Sequence, residues 1–225
     1  MQVHKLFLLF FLFNYIAPLT SGLFTTTEKQ KIILINPAGN AKNIGRKLSS
    51  SCERAIAFKL AGQLAKTLEN RYNMKAFLTR IPGDELTHLQ TATLANRANI
   101  DLFIDINIYK EEREKPRLYI YNLIHNPITD LAKHSLTKTS FTPINILHIN
   151  HIHKTKSFGE RIKMVLTQQE NQKIFDLIGI HGIPIKSLEG INSPALFFDI
   201  GLNDEEKWDS FVEPLVASLR FLLEY

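Results

Sequence analysis

Three histidines close together, His148, His151 and His153, and the carboxylates Glu53 and Asp199 are the residues of this chain best suited to hold a metal. Zinc takes imidazole, thiolate and carboxylate, and a catalytic zinc needs three such groups plus an open position for water. On a strand, His151 and His153 would share one face and His148 the other. Two imidazoles with Glu53 or Asp199 make a ligand set only if the Ile124–Lys156 stretch folds over a cleft. Clustered histidines in a polar stretch are more often simply solvated. His125, His134 and His181 stand apart from the group. Cys52 adjoins Glu53, but neighbours on a helix project about 100° apart, so the thiol reads as a small buried filler. Glu53 also has a bland role, because Ser50 and Glu53 spell an S-x-x-E capping box. Asp199 serves equally well as a hydrogen-bonded structural carboxylate.

The elements that must position these residues alternate in type. Lys31 to Asn36 is a nearly continuous apolar run, as expected of a strand buried on both faces. A polar loop from Pro37 to Ser51 leads into a helix over 51–72, with Ile56, Leu60, Leu64 and Leu68 at four-residue spacing. A short strand over 75–79, a turn at Pro82-Gly83-Asp84 and a helix over 87–99 follow. Strands are expected over 102–108, 117–123 and 195–200. Ser157 and Glu160 form a second capping box that opens a helix to about residue 174, and an amphipathic helix over 205–223 closes the chain. The stretch from Ile124 to Lys156 has no clear period. This alternation predicts a single α/β domain with a mostly parallel twisted sheet flanked by helices. In such sheets ligands bind beyond the carboxyl ends of the strands. That rule selects Asn36 to Asn40, Thr79-Arg80, Asn107 and Asp199 to Leu202.

The chain has 225 residues with 44% hydrophobic and 22% charged side chains, so it can bury a core, and disorder or a coiled coil is excluded. One cysteine permits neither an internal disulfide nor a Cys-rich zinc module. A short basic start, the apolar run Leu6 to Phe13 and the small residues near Gly22 read as a secretory signal over 1–22. The run is too short for a transmembrane helix, which needs about 20 residues, so no stable span is expected after cleavage. A short linker over 23–30 then precedes the domain over 31–225. The net charge of +5 is mild. No basic-aromatic stripe accompanies it, which argues against a nucleic-acid partner.

The strand ends also carry a resemblance. Asn36-Pro37-Ala38-Gly39-Asn40-Ala41, Glu53, Leu78-Thr79-Arg80, Ala95 to Tyr109 and Pro194 to Asp204 resemble, in order and approximate spacing, segments of the zinc-dependent N-acetylmuramoyl-L-alanine amidases (amidase type 3). Their counterparts there are D-P-G-H-G-G, a helix-opening Glu, L-T-R, A-N-x-x-x-A-D-L-F-I-S-I-H-A-N and P-A-x-L-x-E-x-G-F-x-S-N. The likeness runs from Lys31 to Tyr225. It implies an amidase-like fold and a bacterial cell-wall setting. It also implies zinc ligands at Gly39, Glu53 and Asn107, a general base at Asp199 and a substrate-facing rim residue at Arg80. Two of those three ligand positions have lost their histidine, leaving Glu53 as the remnant.

Without a tightly held metal, an attacking water keeps a pKa near 15.7 instead of about 7. Asp199 is also one methylene shorter than the Glu it replaces, which withdraws its carboxylate by roughly 1.5 Å. The resemblance therefore points to an exported, catalytically degenerate amidase-like protein of the periplasm or cell envelope. It would need no cofactor, and its partner would be peptidoglycan or a cell-wall enzyme. The alternative is an active zinc amidase that hydrolyses the MurNAc–L-Ala amide with ligands relocated to the histidine segment.

Overall fold

The computed structural model describes residues 29–124 and 144–224. The expected signal segment, residues 23–28 of the linker, His125 and His134 lie outside them. Strands β1 (Ile32–Pro37), β2 (Lys75–Leu78), β3 (Leu102–Lys110), β4 (Arg117–Leu123), β5 (Asp176–Ile183) and β6 (Ala195–Leu202) form one sheet in the order β2-β1-β3-β6-β4-β5. Pairing is parallel except between β4 and β6, so the mostly parallel α/β sheet is as expected. Helices α1 (Glu53–Tyr72), α2 (His88–Ala98), α3 (Ile152–Leu166), α4 (Gln169–Gln172) and α5 (Val212–Glu224) connect the strands. Short 3-10 helices over Ile144–His151, Lys186–Leu188 and Glu205–Phe211 join them.

Side chains alternate across the pleat, and the two faces of this sheet differ. One face presents Ile33, Ile35, Ile104, Ile106, Ile108, Leu118, Ile120, Leu196, Phe198 and Ile200 to α1, α3 and α5, and all are buried. The helices answer with Leu60, Leu64, Ile162 and Leu219. Residues in the alternate positions form the other face. There Leu34, Phe103 and Ala195 pack under Ala92 and Ala95 of α2 and under Ile185, Leu188 and Ile191. Toward the carboxyl ends of β1, β3 and β6, the same face turns polar with Asn36, Asp105, Asn107 and Asp199.

Several local expectations fail. Strand β5 was not foreseen. It is an edge strand with Gly179 and Gly182 and little buried surface, so its apolar signal is weak. The Ser50–Glu53 capping box does not form. Cys52 is the N-cap of α1 and makes no side-chain cap bond, while Ser50 binds Glu205 instead. Cys52 is only half-buried and bridges backbone to Lys47, so it is not a core filler. Ser157 lies inside α3, which begins five residues earlier than expected, so the second capping box is absent as well. That helix stops at Leu166 rather than near 174, where Asn171 Nδ2 donates to the Val165 carbonyl. The closing helix is split, 3-10 from Glu205 to Phe211 and α-helical only from Val212. A true capping box does occur on α2, between Thr87 and Gln90.

Candidate functional site

At the carboxyl ends of β1 and β3, a polar network grows from side chains on one face. Parallel pairing sets Asn36 beside Asp105, and Asn107 beside Asp199. Asn36 Nδ2 donates to Asp105 Oδ1 at 2.9 Å, and Asn107 Nδ2 donates to the same oxygen at 3.2 Å. Thr79 Oγ1, at the end of β2, donates to Asn36 Oδ1 at 2.7 Å. Asp105 is 2% exposed. Burial pushes its carboxyl up to about 6, against the lowering effect of the donors that face it.

This network forms the floor of a cleft of about 300 Å³. Loop residues Pro37 to Asn40 with Arg80 form one wall, and Ile185, Lys186, Ser187 and Phe197 the other. His88, at the start of α2, stands at its rim. Arg80 is buried. Its Nε donates to the Pro37 carbonyl at 3.3 Å and its Nη2 to the Ala38 carbonyl at 2.8 Å. Burial, with the charge of Arg54 nearby, lowers its pKa from the ordinary value. Of the site residues expected from the sequence, this cleft gathers Gly39, Arg80 and Asn107.

Glu53 and Asp199 are engaged elsewhere. Glu53, 5% exposed, accepts from the backbone N–H of Arg46 at 2.8 Å and from that of Ile108 at 3.0 Å, one on each oxygen. It ties the loop after β1 to the end of β3, a role that local capping patterns do not reveal. Asp199 Oδ1 accepts from Arg46 Nη1 at 2.6 Å. The Arg46 guanidinium lies 5.7 Å from the centre of the Tyr109 ring and also feels the charge of Glu53. Sequence reasoning missed Arg46, because its partner Asp199 lies 153 residues away in the chain. The Asn107 amide donates to Asp105.

The side chains at these positions are engaged as follows. Gly39 offers no donor and sits at φ +77°, and a Cβ there would stand 2.8 Å from Arg54 Cβ and 2.9 Å from the Asn43 carbonyl oxygen. Asn107 gives its Nδ2 to Asp105, Glu53 accepts one backbone N–H on each oxygen, and Asp199 is held by a cation. The histidine segment is placed as follows. It is not a strand, since His148 and His151 fall in a 3-10 helix and His153 in α3. His148 is buried beside a small hollow with Asn122, Thr155 and Ser193. His181 is on β5, in ring contact with Tyr121. Among the described residues, no group of three or more His, Cys, Asp or Glu is placed to hold a metal ion. No described helix is long and apolar enough to cross a membrane.

No family model matches the sequence. No curated protein matches it either. Solved structures do match. An N-acetylmuramoyl-L-alanine amidase from Clostridium difficile 630 superposes with a TM-score of 0.64 at 16% identity, over 88% of this chain and 98% of that one. The amidase Ami1 from Mycobacterium smegmatis gives 0.62 at 11%, over 87% and 98%. The CwlD amidase from Clostridioides difficile, solved with the GerS lipoprotein, gives 0.59 at 12%, over 87% and 97%. The chain thus folds as the N-acetylmuramoyl-L-alanine amidases do, across nearly the whole length of those domains.

Proposed function

We propose that this chain is a non-catalytic amidase-like domain of the cell envelope, exported by residues 1–22, which binds peptidoglycan or a cell-wall enzyme without cutting the wall. The observation that carries this reading is the engagement of its two remaining carboxylates, Asp199 by Arg46 and Glu53 by two backbone amides. A carboxylate already neutralised by a guanidinium is a poor general base, because taking a proton would break a charge-assisted bond. A neutral amide at Asn107 and a glycine at position 39 put no imidazole at those two positions. Catalytic power is lost at several points at once, while the cleft persists. Arg80 is the residue that meets the ligand there. The complex of a similarly folded amidase with a lipoprotein supports a protein partner.

Zymography with purified protein on wall material tests the reading, with and without added zinc, alongside co-sedimentation with isolated sacculi. We expect no clearing in either lane, together with retention on sacculi or on a wall enzyme. Clearing that a chelator abolishes would instead establish the active zinc amidase with relocated ligands.

A further inference from the structure

The two edges of the sheet are guarded unequally. β2 has only four residues, and the exposed Lys75 stands on it with Nζ 5.1 Å from the centre of the Phe77 ring. Short length and lysine are common defences of an edge strand against pairing with another chain. β5 has neither. It is eight residues long, and from Leu177 to Ile183 it carries no Lys, Arg, Asp, Glu or Pro. β4 pairs with one side of it, and among the described residues no strand pairs with the other. Three large apolar side chains at this end of the sheet are open to water, Ile124 at 48%, Ile178 at 38% and Ile183 at 36%.

The backbone sets what this edge accepts. The Ile183 carbonyl accepts from the Ile124 N–H, so residue 183 turns its polar groups toward β4. Alternate residues of a strand turn theirs to opposite sides, so Ile180 and Gly182 present N–H and C=O to the free edge. Ile178 is the extra residue of a bulge, since Leu118 pairs with Leu177 and Tyr119 with Gly179. Pro184 has no N–H to give. The usable edge is therefore Gly179 to Ile183, centred on His181.

An antiparallel second copy fits that window in one register. With a two-fold axis at His181, Ile180 lies opposite Gly182 of the second copy and Gly182 opposite its Ile180, so every outward N–H and C=O is used. Gly179 then lies opposite Ile183 of the second copy, and each glycine leaves room for the isoleucine that faces it. Moving the axis to residue 180 would set Gly182 against the bulged Ile178, and moving it to residue 182 would set Ile180 against Pro184. Side chains agree with this register. Ile124 Cγ2 fills the space that a Cβ of Gly182 would take, so the incoming Ile180 meets hydrocarbon there. The His181 ring leans back over Gly179, its Nε2 3.4 Å from where a Cβ would stand, and lies 6.0 Å from the Tyr121 ring, clear of the edge. The window holds no charged side chain, so pairing it with itself brings no like charges together.

We propose that β5 is a docking edge for a second copy of this chain, joined antiparallel about a two-fold axis at His181 into one continuous sheet. The proposal goes beyond the wall-binding reading and does not depend on it. A single strand pair buries little, and interfaces under about 1,200 Å² are typical of weak assemblies, so the dimer forms reversibly with concentration.

The experiment is sedimentation equilibrium of the purified chain over a range of concentrations, joined to cysteine cross-linking in a Cys52→Ser background. We expect a reversible monomer–dimer equilibrium, weakened at least tenfold by His181→Lys, which sets two ammonium groups opposite each other. His181→Cys should form an interchain disulfide that a reductant opens, because facing residues of this kind have Cα atoms about 4.5 Å apart, within the span of a disulfide. Lys75→Cys on the β2 edge should not. Both positions are exposed, and circular dichroism of each variant checks its fold. If His181→Lys is unfolded, the cross-linking pair decides alone. A native chain that stays monomeric at every concentration, a dimer indifferent to His181→Lys, or equal cross-linking from the two cysteine positions overturns the proposal.

Discussion

The two faces of the sheet are built from alternate residues of the same strands, yet they solve different problems. In β3, Ile104, Ile106 and Ile108 face the helices, while Asp105 and Asn107 face the cleft. In β6, Leu196, Phe198 and Ile200 face the helices, while Phe197 and Asp199 face outward. The helix-covered face is close-packed hydrocarbon whose contribution scales with area removed from water. The other face stops being apolar halfway along the strands, and hydrogen bonds and charge pairs take over. Stability is thereby concentrated on one side, which leaves the other free to carry polar groups.

Substitutions can break or sharpen this contrast. The largest effect is expected on the packed face, where Phe198→Ala should cost about 3–5 kcal/mol in denaturant unfolding. Asn107→Ala, on the open face, should cost under about 1.5 kcal/mol. Comparable losses at the two sites would dissolve the distinction. Next comes Asp105, whose carboxyl is raised from 3.8 to about 6 by burial. The folded state then holds this proton more tightly than the unfolded chain. Its stabilising contribution is complete below about pH 4 and is lost as pH rises through about 6, by about 3 kcal/mol at most. Subtracting the pH–stability curve of Asp105→Asn from that of the native chain should isolate this decline. A flat difference would show that the carboxyl is not confined as the geometry requires.

Glu53→Ala should cost about 2 kcal/mol, because two backbone amides lose their acceptor. Added zinc should leave the melting temperature of the native chain unchanged. A zinc-dependent rise that disappears in the variant would return Glu53 to a ligand role. The smallest effect belongs to Arg46→Met, about 0.2–1 kcal/mol, since its side chain is 45% exposed. Its diagnostic is therefore a double-mutant cycle with Asp199→Asn, not the single loss.

The packed face was legible in the sequence because a period of two in strands and of four in α1 leaves a plain apolar record. Ile56, Leu60, Leu64 and Leu68 are all buried as that spacing demands. Three of the five expected site residues, Gly39, Arg80 and Asn107, do converge on one cleft. What escaped were partners far apart in sequence. Nothing local to Arg46 tells that it meets Asp199, and nothing local to Ser50 tells that Glu205 bonds it. Edge strand β5 escaped for a different reason: with half its surface open to water, it needs no continuous apolar run.

Glu205 holds a further consequence. Its carboxylate accepts from the backbone N–H and hydroxyl groups of both Ser50 and Ser51, just ahead of α1. The entry to the first long helix is thus fastened by a residue some 155 positions downstream. Contacts of such separation close late, after shorter loops have formed. During synthesis, this fastening at the entry to α1 must wait until residue 205 has emerged, so a chain cut short before Glu205 would carry α1 without it.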